Sequence, residues 1–181
     1  MKYIIAVDLQ NDFIFGSLGT PEAKEVHERV IKYFNSLSDN TKVIFTQDTH
    51  EPDYLTTAEG IKLPVKHCIK HTHGWKINEE IWNACKAPKE IISKKTFGSY
   101  DLPNCLMNSI LDSILEEDGY PEEIEIFGLC TDICVISNCL ILKAYYPEAK
   151  ITVRPYLCAG TTPEAHDAAL SVMKSCQIDL V

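Results

Sequence analysis

The stretch Ile126-Phe127-Gly128-Leu129-Cys130-Thr131-Asp132-Ile133-Cys134-Val135 reads as a strand, a turn and a helix start in immediate succession. The apolar run ends near Gly128, and Thr131 or Asp132 is a natural N-cap, which puts Cys134 in the first turn of a helix over residues 133–145 that Pro147 stops. Working outward, short runs rich in Ile and Val recur at residues 3–7, 42–46, 90–93, 151–153 and 178–181 as well as at 124–127. Between them, helical periodicity marks residues 22–37, 78–84, 106–117, 133–145 and 163–174. Continuous apolar strands joined by helical crossovers predict an α/β fold: a three-layer α/β/α arrangement around a doubly wound, six-stranded, mainly parallel sheet. Thr162-Pro163 supplies a cap followed by proline at the first helical position.

The 181 residues fit one domain over 1–181, with a core large enough to fold without crosslinks. The eight cysteines therefore read as thiols, most of them buried, rather than a disulfide framework. Asp8 interrupts the first apolar run before it reaches the length of a secretion signal, so the expected location is the cytoplasm. No run approaches the about 20 residues needed to span a bilayer. With 17 basic against 26 acidic residues and a net charge of −9, neither a nucleic acid nor an anionic membrane is an expected partner. A small neutral or cationic substrate suits this balance better.

In a doubly wound sheet, ligands gather outside the carboxyl ends of the strands, so residues there are the candidates for chemistry. Asp8 ends the first strand, Lys94 the third, and Cys134 follows the fourth. Taken singly, each has an ordinary alternative: a turn cap, a solvated lysine, an inert thiol. At a helix start, unpaired N–H groups and the helix dipole favour a thiolate over a thiol of ordinary pKa about 8.5, and the same N–H groups can hold an oxyanion. Asp48 and His50, two apart after the second strand, can present two ligands to one metal. They open an irregular excursion, residues 47–89, where four of the chain's six histidines fall and where one short helix is the main regular element expected. A structural zinc site built from Cys130, Cys134 and Cys139 lacks the paired Cys-x-x-Cys spacing of such sites.

Together these blocks resemble the isochorismatase-like cysteine hydrolases, nearest the nicotinamidase/pyrazinamidase branch. The resemblance covers nearly the whole chain. It rests on Val7-Asp8-Leu9-Gln10-Asn11-Asp12-Phe13, Thr46-Gln47-Asp48-Thr49-His50, Leu63-Pro64-Val65-Lys66-His67-Cys68, Ser93-Lys94 with Phe97-Gly98-Ser99-Tyr100, and Gly128 to Val135. It implies a catalytic triad of Asp8 as base, Lys94 as stabilising cation and Cys134 as acylated nucleophile. It also implies a cis peptide at Leu129-Cys130, an oxyanion hole from the backbone N–H groups of Cys130 and Cys134, and Phe13 as a wall against the substrate. For the metal it implies one divalent ion on Asp48, His50 and His67, zinc first, with iron and manganese suited to the same donors. His71 and His73 are rival third ligands outside the matching Pro-x-x-His-Cys context.

The implied activity is hydrolysis of a small carboxamide, nicotinamide to nicotinate and ammonia, in a homo-oligomer. The alternatives are another amidase or carbamoyl hydrolase, or a non-catalytic binding module. Two departures bear on the substrate. Tyr54 stands four residues after His50, where the branch often has a histidine, and Leu63-Pro64-Val65-Lys66 lacks the branch's tryptophan, for which Trp75 is a stand-in by proximity.

Overall fold

The computed structural model describes residues 2–37, 40–111 and 121–181. Its sheet is formed by β1 (Lys2–Val7), β2 (Thr41–Asp48), β3 (Lys89–Lys94), β4 (Glu123–Leu129), β5 (Lys150–Ala159) and β6 (Asp179–Leu180), in the order β3-β2-β1-β4-β5-β6. Every strand pair is parallel, where the sequence predicts a mainly parallel sheet. Ile4, Ile5, Ala6 and Val7 are all fully buried, because helices cover both faces and leave no side for alternating polar residues.

The helices are α1 (Asn11–Ile14), α2 (Pro21–Asn35), α3 (Ala58–Lys62), α4 (Glu79–Ala84), α5 (Leu102–Leu111), α6 (Ile136–Tyr145) and α7 (Pro163–Ser175). From β1 the chain steps outward through α2 to β2 and through α4 to β3, and right-handed crossovers put both helices on one face, where they pack together. From β3 it returns through α5 to β4 and continues in the opposite direction through α6 and α7, on the other face. Strand order therefore reverses between β1 and β4. Their carboxyl ends diverge there and open a crevice.

Local capping follows the sequence. Thr20 accepts the Ala23 N–H ahead of Pro21, and Thr162 accepts the Ala165 N–H ahead of Pro163. Several boundaries move. β5 runs six residues beyond the expected 151–153, across a register break in which Ile126 pairs with Val153 but Gly128 with Cys158. The fifth helix begins at Leu102 rather than at 106, and the expected part beyond Leu111 lies outside the described residues. The excursion 47–89 holds α3 and a 3₁₀ turn at Tyr54–Thr56 in addition to α4. Among the described residues no helix is long and apolar enough to cross a membrane.

Candidate active site

Asp8 lies one residue beyond β1 and adopts a left-handed backbone (φ 48°) that turns its carboxylate back over the strand ends. Thr46 of β2 donates to Asp8 Oδ1 at 2.6 Å. Lys94, the last residue of β3, brings its ammonium 2.7 Å from Asp8 Oδ2, 3.3 Å from Asp48 Oδ1 and 3.5 Å from Cys134 Sγ. All four side chains are buried. An ammonium among two carboxylates and a sulfur is fully compensated, which is the condition for keeping it out of water.

Cys134 sits in a widened turn, Thr131–Val135, in which the Val135 N–H reaches back to Cys130 O. Neither Thr131 nor Asp132 caps it, contrary to the sequence expectation; Cys130 occupies the cap position and makes no side-chain cap bond. Asp132 instead accepts the Thr161 N–H at 2.8 Å and the Thr161 hydroxyl at 2.6 Å, while Thr131 Oγ1 lies 2.8 Å from His166 Nδ1. Both side chains tie the turn to the loop before α7 and to α7 itself, so tertiary partners displace the local cap. Leu129-Cys130 is a cis peptide bond, where the resemblance puts one.

Electrostatics at this turn depend on burial as well as on the helix start. Burial drives the Cys134 thiol well above its ordinary pKa and the neighbouring Asp8 carboxyl adds to this, with Lys94 only partly opposing them. Desolvation thus works against the helix-start effect at this sulfur. Burial likewise raises Asp8 against the pull of Lys94. Lys94 itself is raised: burial disfavours its charge, but Asp8, Cys134 and Asp48 together outweigh that. The trio thus sets a thiol, a carboxylate and an ammonium side by side in one buried group.

Asp48, His50 and His67, all buried, offer ligand atoms within 4.8 Å of one another. His50 Nε2 is 2.8 Å and His67 Nε2 3.5 Å from Asp48 Oδ2. His67 Nδ1 lies 2.8 Å from Val65 O, an atom that can only accept, so the ring proton is on Nδ1 and the Nε2 lone pair faces the cluster. His50 Nε2 is buried and makes no aligned hydrogen bond among the described residues, as a nitrogen aimed at a common point rather than at its neighbours would be. Although burial raises Asp48, the two imidazoles and Lys94 hold it far below the usual carboxylate range. The donor set fits a divalent metal ion. His71 packs on Trp75, and His73 offers its carbonyl to Asn11, so neither joins the cluster.

One residue that the sequence reading passes over stands beside this group. Glu59 of α3 places Oε1 3.5 Å from His50 Nε2 and 3.8 Å from His67 Nε2. In sequence, Glu59 falls in the irregular excursion with no periodic element around it, so no periodicity there marks its carboxylate for a role. The available signal was the absence of a histidine at position 54 together with an acid five residues further on.

Trp75 is not among the residues lining the cavity beside Cys134, and its indole N–H donates to Thr49 Oγ1 at 2.8 Å. The crevice holds a cavity of about 280 Å³ whose walls are Phe13, Leu18, Leu63, Phe97 and Ile133, with Cys134 on one side and Asp48, Glu59 and His67 on the other. The block before Phe13 is largely scaffolding. Gln10 clamps the Asp48 backbone through both its amide atoms, Asn11 donates to His73 O, and Asp12 accepts the Cys68 N–H. The metal-ligating segments are thereby held to the end of β1.

The isochorismatase domain model matches residues 2–181. Among solved structures, a pyrazinamidase of Pyrococcus horikoshii in complex with zinc superposes with a TM-score of 0.79 at 23% identity, covering 99% of this chain and 98% of that one. A nicotinamidase/pyrazinamidase from Bacillus subtilis gives 0.80 at 23%, with the same coverage, and an N-carbamoylsarcosine amidase from Thermoplasma acidophilum gives 0.72 at 22%, covering 99% and 94%. At these identities the likeness shows the fold. No curated protein matches the chain.

Proposed function

The chain belongs to the isochorismatase family, and on that premise we propose that it is a cysteine hydrolase of small carboxamides, with nicotinamide as the leading substrate. The observation that carries this reading is the Lys94 ammonium lying 2.7 Å from Asp8 and 3.5 Å from Cys134, whose side chain lines a mostly apolar cavity.

In this mechanism the Cys134 thiol gives its proton to Asp8 as sulfur attacks the amide carbon. Lys94 offsets the negative charge that builds on sulfur. The N–H groups of Cys130 and Cys134 receive the carbonyl oxygen as it becomes an oxyanion. The C–N bond then breaks, the Asp8 proton passes to nitrogen, and ammonia leaves a thioester on Cys134. Water attacks that thioester with Asp8 again as base, which releases the carboxylic acid and restores the thiol. Phe13 and the aliphatic side chains of Leu18 and Leu63 hold the body of the substrate.

Asp48, His50, His67 and Glu59 would hold a divalent ion, zinc first among the candidates, with iron and manganese suited to the same mixed donors. The ion would supply a Lewis-acidic anchor for an electron-pair donor on the substrate. We assign the activity to the cytoplasm and to a homo-oligomer, for which exposed Phe97, Tyr100 and Tyr145 offer apolar surface.

Hydrolysis of a carbamoyl compound is the second reading. It is favoured by Leu63, an aliphatic wall residue from the block in which the nicotinamidase branch tends to carry a ring-stacking tryptophan. Ammonia release from a panel of nicotinamide, pyrazinamide, aliphatic amides and N-carbamoyl amino acids tests both. Preference for the aromatic amides is the expected result. Preference for carbamoyl compounds would transfer the assignment to the second reading, and inactivity on the entire panel with metal-loaded protein would contradict both.

A further inference from the structure

Among the described residues Tyr54 and Tyr146 are the largest side chains fully removed from solvent, yet Tyr54 stands on a single 3₁₀ turn whose next residue, Leu55, is exposed. Packing alone would be served by phenylalanine, and a buried hydroxyl is unfavourable unless it finds partners. Its partners are specific. The hydroxyl has one proton to donate and faces two acceptors, Leu63 O at 3.1 Å and Glu59 Oε1 at 3.3 Å, which share it. The ring meets His50 at 4.5 Å and His67 at 4.9 Å between centroids, so one side chain touches three of the four donors of the cluster.

The backbone around Tyr54 is fixed as tightly. Thr57 donates its hydroxyl to Tyr54 O at 2.7 Å and accepts the Gly60 N–H at 3.0 Å, capping α3 directly onto the turn. Gly60 passes so close that a Cβ there would come within 2.0 Å of Tyr54 O. Tyr54 and Glu59 therefore sit on one rigid corner. The only freedom left to the Glu59 carboxylate is rotation of its own side chain, and the phenol opposes that.

We infer that Tyr54 is a positioning residue of the metal centre: its hydroxyl holds the Glu59 carboxylate over His50 and His67, and so makes Glu59 a fourth protein donor beside Asp48. The inference rests on the metal reading of this cluster. It also gives a physical role to a position at which the sequence reading noted only a departure from the family. Two carboxylates neutralise the formal charge of a divalent ion, and an oriented partner outside the ligand set keeps the second one in place.

Cobalt(II) binding by native protein, Tyr54→Phe, Glu59→Gln and the double variant tests this, with affinity read by chelator competition and ligand geometry by the visible absorption of the bound ion. Tyr54→Phe keeps the ring and should weaken cobalt binding by about 10- to 100-fold and shift the spectrum. In the Glu59→Gln background the same change should cost almost nothing further, since the hydroxyl acts through that carboxylate. Melting of the metal-free proteins checks that the variants are folded. Native-like affinity and spectrum in Tyr54→Phe, or an undiminished loss in the Glu59→Gln background, would overturn the assignment while leaving the metal reading standing. Failure of the native protein to bind cobalt would remove the metal reading, and the assignment with it.

Discussion

Gly128 shows how a residue without a side chain sets the site. It lies next to Val7 in the β1–β4 pairing with φ 134°, and a Cβ there would come within 2.1 Å of Val7 O. Backbone cannot yield as a side-chain tip can, so Gly128→Ala should destabilise by on the order of 2–4 kcal/mol through overpacking and a left-handed alanine. Urea unfolding measures this, and a change within about 0.5 kcal/mol would contradict it. At this scale the sequence was readable where a residue's place followed from the end of a strand. Asp8, Lys94 and Cys134 were found that way, and they meet within hydrogen-bonding reach. His67, preferred to His71 and His73 on its flanking residues, lies in one cluster with Asp48 and His50. Glu59 and Trp75 depended on the path of an irregular segment, which no periodicity encodes. Glu59 was missed for that reason, and Trp75 does not line the cavity beside Cys134.

Elements were legible in kind and less so in extent. Strand β5 was cut short because Arg154-Pro155 interrupts its apolar run. In the structure those residues fall in the register break, and the Arg154 guanidinium reaches Glu125 at 2.7 Å, a buried carboxylate that also holds Lys2 at 2.8 Å. The charge that argued against a strand is thus satisfied by an acid in the neighbouring strand, β4. The turn carrying Cys134 differs for a related reason. Local chemistry proposes Asp132 as a cap, but the Thr161 N–H and hydroxyl offer it two donors at once. Where a side chain has both a local and a distant partner, sequence displays only the first. Short α3 carries too few residues for a periodic signal, although its Thr57 cap is plain once the boundary is known.

Across the whole molecule, the alternation of strands and helices was enough to predict a doubly wound sheet, and the reversal of strand order between β1 and β4 puts the crevice where that architecture requires. The same burial that builds the site makes the protein sensitive to alkali. Burial pushes the thiols of Cys130 and Cys158 up to about 12, from an ordinary 9.0, and also raises Cys68, Cys134 and Cys139. An unfolded chain loses these protons first. The stability they contribute is therefore complete below pH 9.0 and is lost as pH rises toward about 12. At about 1.4 kcal/mol per pKa unit the effect reaches several kcal/mol, so the urea midpoint should fall between about pH 8 and about pH 11. A midpoint that stays level over that interval would show that these thiols titrate normally.

The central claim is that the Cys134 sulfur is the nucleophile toward an amide carbonyl. Ammonia release from nicotinamide by metal-loaded native protein and by Cys134→Ala measures it most directly. The account predicts turnover by the native protein and a loss of at least about 10³-fold in the variant, since removing a covalent nucleophile leaves only binding and oxyanion stabilisation. Turnover undiminished in Cys134→Ala would contradict it.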